Sequence, residues 1–384
     1  MKIIQNDIPE FIINNKKQKG GNFINDILIE DLEDISMYFT GSKQYTLTLI
    51  DEVNIGRLGI IKYNNIERYI SFSNPDLSGR NSAMQHVTSA LSRFYKSNNE
   101  NKDKEIYYYF LKTSGNYGIP YYMFYYRMMK TVGFKFINEK KYLSKEIFEI
   151  SSVEDLINMR NVNKKTQNNS SYLTLNADGN IDFFAKTYGA NKKESVLIAC
   201  AAAKILKSHK VIVYEMIENN LKELPKPDKE LMKVFNITII RADKELEKQI
   251  LLSVKNYRSP KFNMNLLKLR GQKKCALCDC NIPQIIEGAH IWPVSEIKNE
   301  KTMNEDEKVM AATDGENGIW LCSNHHKLFD SNLLFINNEY KVMYSESLEN
   351  HEYNYLNSIT TNLDLSESFI GEKAVSYLLK RNKA

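Results

Sequence analysis

Three cysteines and one histidine form two matched pairs in the last third of the chain. Cys275 and Cys278 are three residues apart, and so are Cys322 and His325. Thiolates and an imidazole at this spacing are typical of tetrahedral zinc sites, in which each pair supplies two ligands. The long stretch between the pairs predicts a structural zinc ion that joins two distant parts of one domain. Cys280 is an alternative that could replace one of the thiolates.

A second group of polar side chains is interleaved with these pairs. His290 ends one apolar segment, Asn317 precedes another, and His326 directly follows His325. Hydrolysis of a phosphodiester bond needs a nucleophile made from water and a cation that neutralises charge on the phosphate and on the leaving oxygen. A neutral histidine near its ordinary pKa can accept the water proton at physiological pH. These residue types therefore fit metal-assisted hydrolysis.

The elements that would position these side chains follow from the apolar pattern. Residues 285–291 predict a strand that presents His290 at its end, and Pro293 breaks this strand. A long charged loop is expected from there to Asn317. Residues 318–322 predict a second strand, and a short helix is expected to begin at His325. The predicted order is strand, loop, strand and helix.

In three motifs the chain resembles the HNH nucleases, which have a ββα-metal fold. The motifs are Ala-His-Ile-x-Pro at 289–293, Asn-Gly-Ile-Trp-Leu-Cys at 317–322 and His-His-x-Leu-Phe-Asp at 325–330. They occur in the family's order and are interleaved with the zinc ligands. The resemblance covers residues 260–345, and the chain before it resembles no family.

The resemblance implies a role for each of these polar residues. His290 would activate the water, and His326 would hold a catalytic Mg²⁺ or Mn²⁺ ion. Asn317 would orient the loop or His290 through its amide, or contact the metal. Because the zinc spacing is completed by His325, His326 is expected to point toward His290. A swapped assignment of the two adjacent histidines is the alternative.

One position departs from the family pattern. Many members carry Asp or His immediately before the catalytic histidine as a second metal ligand, and this chain has Ala289. Asp330, one helical turn beyond His326, or Asn317 could complete the metal site. We expect Asp330 to be a supporting or structural carboxylate rather than a ligand.

Length and composition limit the class of protein. With 384 residues, of which 42% are hydrophobic and 26% charged, the chain should fold into two or three soluble domains. It contains no apolar run of the ~20 residues that a membrane helix needs, and its start lacks the pattern of a secretory signal. Clustered cysteines suit a reducing compartment, so we expect a cytoplasmic protein. The net charge of +5 is compatible with a polyanionic binding partner but is too small to demonstrate one.

The rest of the chain predicts a mixed α/β region followed by the nuclease domain. The fold class expected is therefore α+β, with a mixed α/β N-terminal region and a C-terminal zinc-braced ββα-metal (HNH) nuclease domain. Predicted strands lie at 45–50, 58–63, 69–72, 106–111, 211–217 and 234–240, and predicted helices at 82–95, 121–132, 191–207, 244–254 and 257–270. We expect residues 1–170 to be a DNA-recognition region, 171–256 to belong to the recognition or dimerisation unit, and 257–384 to be the nuclease domain.

Several N-terminal residues are candidates for contacts with DNA. Arginine and asparagine can read base edges, and lysine can bind phosphates. The candidates are the segment 78–82, Arg93, Lys96, Lys204, Lys207 and Lys210. Tyrosines at 107–109 and 121–126 could stack on bases, although core packing is the more common fate of such clusters. A solvated helix face is likewise the more common fate of a short basic run.

These observations together predict a sequence-specific endonuclease that cuts double-stranded DNA, of the type II restriction class. A symmetric target would favour a homodimer, and host protection would require a cognate DNA methyltransferase. Two alternatives remain. One is a defence or phage nuclease that senses modified DNA or a small signal. The other is a zinc-containing DNA-binding protein without catalytic activity.

Overall fold

The computed structural model describes most of the chain. It covers residues 15–17, 23–25, 29–52, 56–73, 80–97, 103–110, 119–143, 145–162, 171–186, 190–206, 209–218, 223–253, 259–366, 369–371 and 373–383. Residues 164–171, whose polar sequence predicts a linker or an exposed loop, lie outside these ranges except for the last residue. None of the helices in these ranges is both long and apolar enough to cross a membrane.

Contacts divide the chain into two compact units that interleave in sequence. The first contains residues 1–168, 187–211 and 222–238, and the second contains 169–186, 212–221 and 239–384. Residues 171–256 thus contribute segments to both units. The elements up to the end of the first unit are β1 (Asn15–Lys17), β2 (Phe23–Asn25), α1 (Ile29–Thr40), β3 (Thr46–Glu52), β4 (Gly56–Tyr63), β5 (Ile66–Ser73), α2 (Arg80–Lys96), β6 (Asp103–Phe110), α3 (Ile119–Thr131), β7 (Phe134–Phe136), α4 (Glu139–Tyr142), α5 (Val153–Val162), β8 (Ser171–Leu175), β9 (Ile181–Lys186), α6 (Ala190–Ile205), β10 (Val211–Met216) and α7 (Lys226–Val234).

The remaining elements belong to the second unit, apart from Thr238 at the start of β11. They are β11 (Thr238–Ala242), α8 (Lys244–Leu252), α9 (Pro260–Arg270), β12 (Ile286–His290), α10 (Val294–Asn299), α11 (Glu305–Thr313), β13 (Gly318–Cys322), α12 (Ser323–Asp330), β14 (Leu334–Ile336), β15 (Val342–Tyr344), α13 (Asn350–Ile359) and α14 (Ala374–Arg381). The mixture of helices and sheets agrees with the fold class predicted from the sequence.

The first unit is built on a five-stranded sheet in the order β3-β4-β5-β6-β7. β3, β4 and β5 form an antiparallel meander, and Asn64, with a positive φ of 54°, forms the tight turn between β4 and β5. β6 and β7 then add in parallel, which requires the crossover helices α2 and α3. The predicted strands that correspond to β3, β4, β5 and β6 and the predicted helices that correspond to α2 and α3 are therefore confirmed, whereas β7 was not predicted.

Two of the predicted DNA-contact lysines of the first unit have partners within it. Lys96 pairs with Glu230, and Lys204 lies 5.3 Å above the ring of Tyr95. Tyr108 and Tyr109 are buried in the sheet's core. Base stacking by these two tyrosines would require the core to open, so core packing is their structural role. Lys207 and the first residues of the segment 78–82 lie outside the described ranges.

The second unit combines a four-stranded sheet, in the order β11-β10-β9-β8, with the zinc and histidine motifs. Its largest core cluster joins both parts, because Phe184 of β9 and Met216 of β10 pack in the same cluster as Phe262 of α9 and Trp320 of β13. The cluster also contains Ala374 and Leu378, four residues apart on α14, whose side chains are fully buried. This spacing places both on one helix face and docks the C-terminal helix on the core.

One predicted strand begins at the wrong place, and one predicted loop is wrong. Residues 234–240 were expected to be a strand, but Val234 ends α7 and the strand β11 begins at Thr238. The charged stretch before Asn317 was expected to be a loop, but it contains α10 and α11. α11 begins with a capping box in which Asn304 and Glu307 exchange hydrogen bonds between side chain and backbone. That Asn-x-x-Glu pattern is visible in the sequence and could have revealed the helix.

Candidate active site

The two predicted zinc pairs meet at one point in the second unit. The ligand atoms of Cys275, Cys278, Cys322 and His325 all lie within 4.8 Å of one another. His325 Nδ1 is 3.5 Å from Cys275 Sγ and 3.2 Å from Cys322 Sγ, and the sulfurs of Cys278 and Cys322 are 3.9 Å apart. Zn–S bonds of about 2.3 Å in a tetrahedron place ligand atoms about 3.5–3.8 Å apart. The donor set and spacing therefore fit zinc, and Cys280 is not among the four.

The protein around the cluster prepares His325 as a ligand. The hydroxyl of Thr360 donates to the Leu356 carbonyl at 2.8 Å, so its oxygen is left to accept the Nε2–H of His325 at 3.2 Å. This bond fixes the tautomer that leaves Nδ1 unprotonated and facing the three sulfurs. Burial raises the pKa of Cys275, and it also raises the pKa of Cys278. Thiolates at these positions therefore need a bound cation to balance their charge.

The hairpin of β12 and β13 places His290 beside Asn317. The strands are antiparallel, and their register pairs His290 with Gly318, the residue that follows Asn317. Phe262 of α9 packs flat on the hairpin, and its ring lies 3.8 Å from the imidazole of His290 at an angle of 16°. A Cβ at Gly288 or at Gly318 would lie within 2.8 Å of the Phe262 ring. Both glycines are therefore needed for this close approach.

His290 is held as a neutral base. Its Nε2 lies 2.9 Å from the carbonyl oxygen of Ala312 in α11. Because a carbonyl only accepts, Nε2 must carry the proton, and in the neutral imidazole the lone pair is then on Nδ1. Burial lowers the pKa of His290 to about 4, aided by the nearby His326 and opposed by the Ala312 carbonyl. Nδ1 is therefore unprotonated throughout the physiological pH range.

Asn317 is fully buried, and its amide bonds to the backbone on both sides of the site. Its Oδ1 accepts from Trp292 N at 2.7 Å, and its Nδ2 donates to the carbonyls of Trp292 and Ala311 at 3.2 Å each. These bonds connect the segment after β12 to the end of α11. They favour the positioning role predicted for Asn317 over the alternative of a metal contact.

His326 lies on α12 with a carboxylate at each ring nitrogen. Its Nδ1 is 3.2 Å from Glu287 Oε2, and its Nε2 is 3.5 Å from Asp330 Oδ2. Since carboxylates accept, Glu287 favours the tautomer with the proton on Nδ1, which leaves the lone pair of Nε2 on the side of Asp330. An imidazole nitrogen and a carboxylate oxygen at this separation could bind one divalent cation. This arrangement makes Asp330 a candidate for the ligand that is missing at Ala289, although the sequence led us to expect a supporting carboxylate there.

Both histidines open into one cleft. It has a volume of about 560 Å³, and its lining includes His290, His326, Asp330, Lys298 and Arg381. The structure thus brings together the predicted base and the predicted metal ligand, whereas Asn317 lies behind them. Ala289, by contrast, is fully buried in the core. It does not line the cleft.

Comparison with known families agrees with this geometry. Residues 275–337 match the model of a family described as HNH endonuclease. This segment is an HNH endonuclease domain. Comparison of the chain with curated proteins gives no match. The HNH domain supports nuclease activity on DNA.

Sequence reasoning missed two features of the HNH domain. The first is Glu287, because a single glutamate in a strand gives no sign that it will meet His326 of a later helix. The second is α11, whose last turn supplies the carbonyls of Ala311 and Ala312. The capping box at Asn304 was the available signal for that helix.

The zinc cluster can be tested with two cysteine variants. Cys322→Ser should lose the bound zinc and lower the melting temperature by roughly 10 °C or more. The reason is that zinc-binding free energy is part of the folding free energy, and each kcal/mol shifts a domain of this size by about 2–4 °C. Metal content and thermal unfolding are measured together. The matched control, Cys280→Ser, should keep both at the wild-type level, and loss of zinc there would place Cys280 in the cluster instead.

Asn317 should matter for stability rather than for metal affinity. Asn317→Ala leaves the buried Trp292 N–H without an acceptor and removes the donors to two carbonyls. We expect the free energy of unfolding to fall by about 2–4 kcal/mol in denaturant titrations. Mn²⁺ affinity per folded molecule should stay unchanged, and exposed Asn324→Ala is the control. Wild-type stability with weakened Mn²⁺ binding would show that Asn317 is a ligand.

Proposed function

We propose that this chain is a sequence-specific endonuclease that hydrolyses double-stranded DNA, with His290 as the general base. The observation that carries the proposal is the hydrogen bond from His290 Nε2 to the Ala312 carbonyl. It leaves the lone pair of the neutral imidazole on Nδ1, and His290 lines the same cleft as His326. A purely structural role for His290 would not explain why it shares a cleft with His326, whose two ring nitrogens each lie near a carboxylate.

The proposed reaction begins with transfer of a proton from water to His290 Nδ1. The hydroxide oxygen forms a bond to phosphorus, the bond from phosphorus to the 3′-oxygen breaks, and the leaving oxygen takes up a proton from solvent. The stacked Phe262 ring and the Ala312 carbonyl keep the imidazole in one orientation throughout. Preorganisation of this kind removes the cost of orienting the base in the transition state.

The site has donors for a catalytic Mg²⁺ or Mn²⁺ ion. His326 Nε2 and Asp330 Oδ2 would hold it, and Glu287 would orient His326 from its other nitrogen. The ion supplies a positive charge that stabilises the phosphate and the leaving oxygen. Lys298 adds positive charge to the cleft lining.

The finer biological assignment is a cytoplasmic type II restriction enzyme. The part of the chain before the HNH domain is large enough to select a target sequence. A palindromic target would be cut by a homodimer, since two-fold DNA sites are matched by two-fold proteins. A cognate DNA methyltransferase would then protect the host DNA.

DNA cleavage tests the proposed function directly. Purified protein with Mg²⁺ should convert unmodified phage DNA into discrete fragments, and His290→Ala should lower the rate by about 10²–10⁴-fold, as expected for loss of a general base. His351→Ala, an exposed histidine of the same unit, is the matched control and should cut normally. A smear, or cleavage of modified DNA alone, would contradict the type II assignment. Intact DNA with every divalent metal, together with retained DNA binding, would contradict the nuclease.

The pH profile should report the lowered pKa of His290. The base must be neutral, and a pKa of about 4 keeps it neutral well below the usual histidine range. With saturating Mn²⁺, which keeps protons from displacing the ion at His326, kcat/KM should stay nearly constant from about pH 8 to about pH 5.5. Zinc content is checked at each pH. An acid limb centred at about 6.5, the ordinary histidine value, would contradict the geometry described for His290.

A further inference from the structure

Helix α14 carries a buried arginine into the cleft from outside the matched HNH segment. The HNH match ends at residue 337, whereas Arg381 is the last residue of α14. The helix is anchored by Ala374 and Leu378, which are fully buried. Arg381 lies three residues beyond Leu378 and therefore on the same face of the helix. It is itself only 7% exposed, although it lines the cleft.

The guanidinium of Arg381 joins two arms of the proposed active site. One arm is β12 with the segment that follows His290, and the other is α12, which bears His326. Arg381 Nη1 donates to the carbonyl of Ile291, the residue that follows His290, at 3.1 Å. Its Nη2 donates to the carbonyl of Phe329, in the last turn of the helix that bears His326. The same Nη2 donates to Asn332 Oδ1 at 2.8 Å. One side chain thus bonds next to the base and next to the proposed metal ligands.

The Arg381 guanidinium is held in one orientation. The Arg381 guanidinium lies 3.8 Å from the centre of the Phe329 ring, which fixes the plane of the group. Its charge also lies at the C-terminal end of α12, where exposed carbonyls favour a cation. On the other arm, Lys380 lies 3.9 Å above the ring of Trp292. Two consecutive residues of α14 therefore contact the segment that follows His290.

We propose that Arg381 is a positioning residue that holds the strand bearing His290 and the helix bearing His326 at a fixed separation. Helix α14 then belongs to the nuclease site, because it supplies this positioning residue. The proposal rests on the proposed function, because the two arms matter for catalysis only if they act on one phosphate. Small changes in the relative position of reacting groups can cost as much as about 10²-fold in rate.

Arg381→Met tests this role because methionine can fill the same buried space without donating hydrogen bonds. We expect kcat per folded molecule to fall by at least about 10-fold, with KM for DNA and zinc content close to wild type. Lys383→Met, which removes one charge from an exposed position just beyond the helix, is the matched control and should keep the wild-type kcat. A wild-type kcat per folded molecule for Arg381→Met would overturn the proposal.

A second variant covers the case in which Arg381→Met does not fold. Arg381→Lys keeps the charge, but an ammonium group cannot span both carbonyls as the guanidinium fork does. Its kcat should also fall while its melting temperature stays near that of the wild type. A wild-type kcat for folded Arg381→Lys would show that the fork is not needed and would overturn the proposal.

Hydrogen exchange separates this inference from the proposed function. In either variant, peptides that cover 290–293 and 323–330 should exchange faster than in the wild type, while peptides around Cys275 should not change. If the wild type cuts no DNA, the proposed function fails, yet this exchange pattern still shows whether Arg381 joins the two arms. Unchanged exchange in both peptides would overturn the proposal.

Discussion

The hydrogen bond between His290 and the Ala312 carbonyl is the constraint on which the account of this site depends. It turns a histidine at a strand end into a base with a defined proton acceptor, Nδ1. It can form only because α11 ends beside the β12–β13 hairpin, and Asn317 bonds both to the Ala311 carbonyl and to the backbone of Trp292. The end of α11 thus sets the tautomer of His290 through the Ala312 carbonyl, and the buried Asn317 holds the backbone on both sides of that contact.

The same unit is stabilised at two separate points around this bond. On one side, the Cys275, Cys278, Cys322 and His325 cluster could hold zinc and joins the start of the HNH domain to the end of β13. On another side, Arg381 of α14 bonds to the segments that follow His290 and precede Asp330. Zinc would fix the ends of the hairpin, whereas Arg381 joins the hairpin to the helix of His326. The two are therefore complementary, and neither can replace the other.

The sequence predicted the zinc ligands and the proposed catalytic histidines better than it predicted the residues that hold them in place. The zinc pairs, the strand ending at His290 and the helix with His326 were readable because ligand spacing and apolar runs are local patterns. Glu287 and Arg381 were not readable, because each meets its partner only through packing between elements that are distant in the chain. α11 was readable in principle from the capping box at Asn304, but the density of charge around it resembled a loop. The strands β3, β4, β5 and β6 were predicted well because alternation and turns are also local.

The tautomer of His290 tests the central claim most directly. The chain has six histidines, so two-bond ¹H–¹⁵N correlation spectra of selectively labelled protein, assigned with a His290→Gln variant, can resolve each ring. At pH 6 the account predicts a neutral His290 with its proton on Nε2 and a bare Nδ1. A proton on Nδ1, or a doubly protonated imidazolium at that pH, would contradict it.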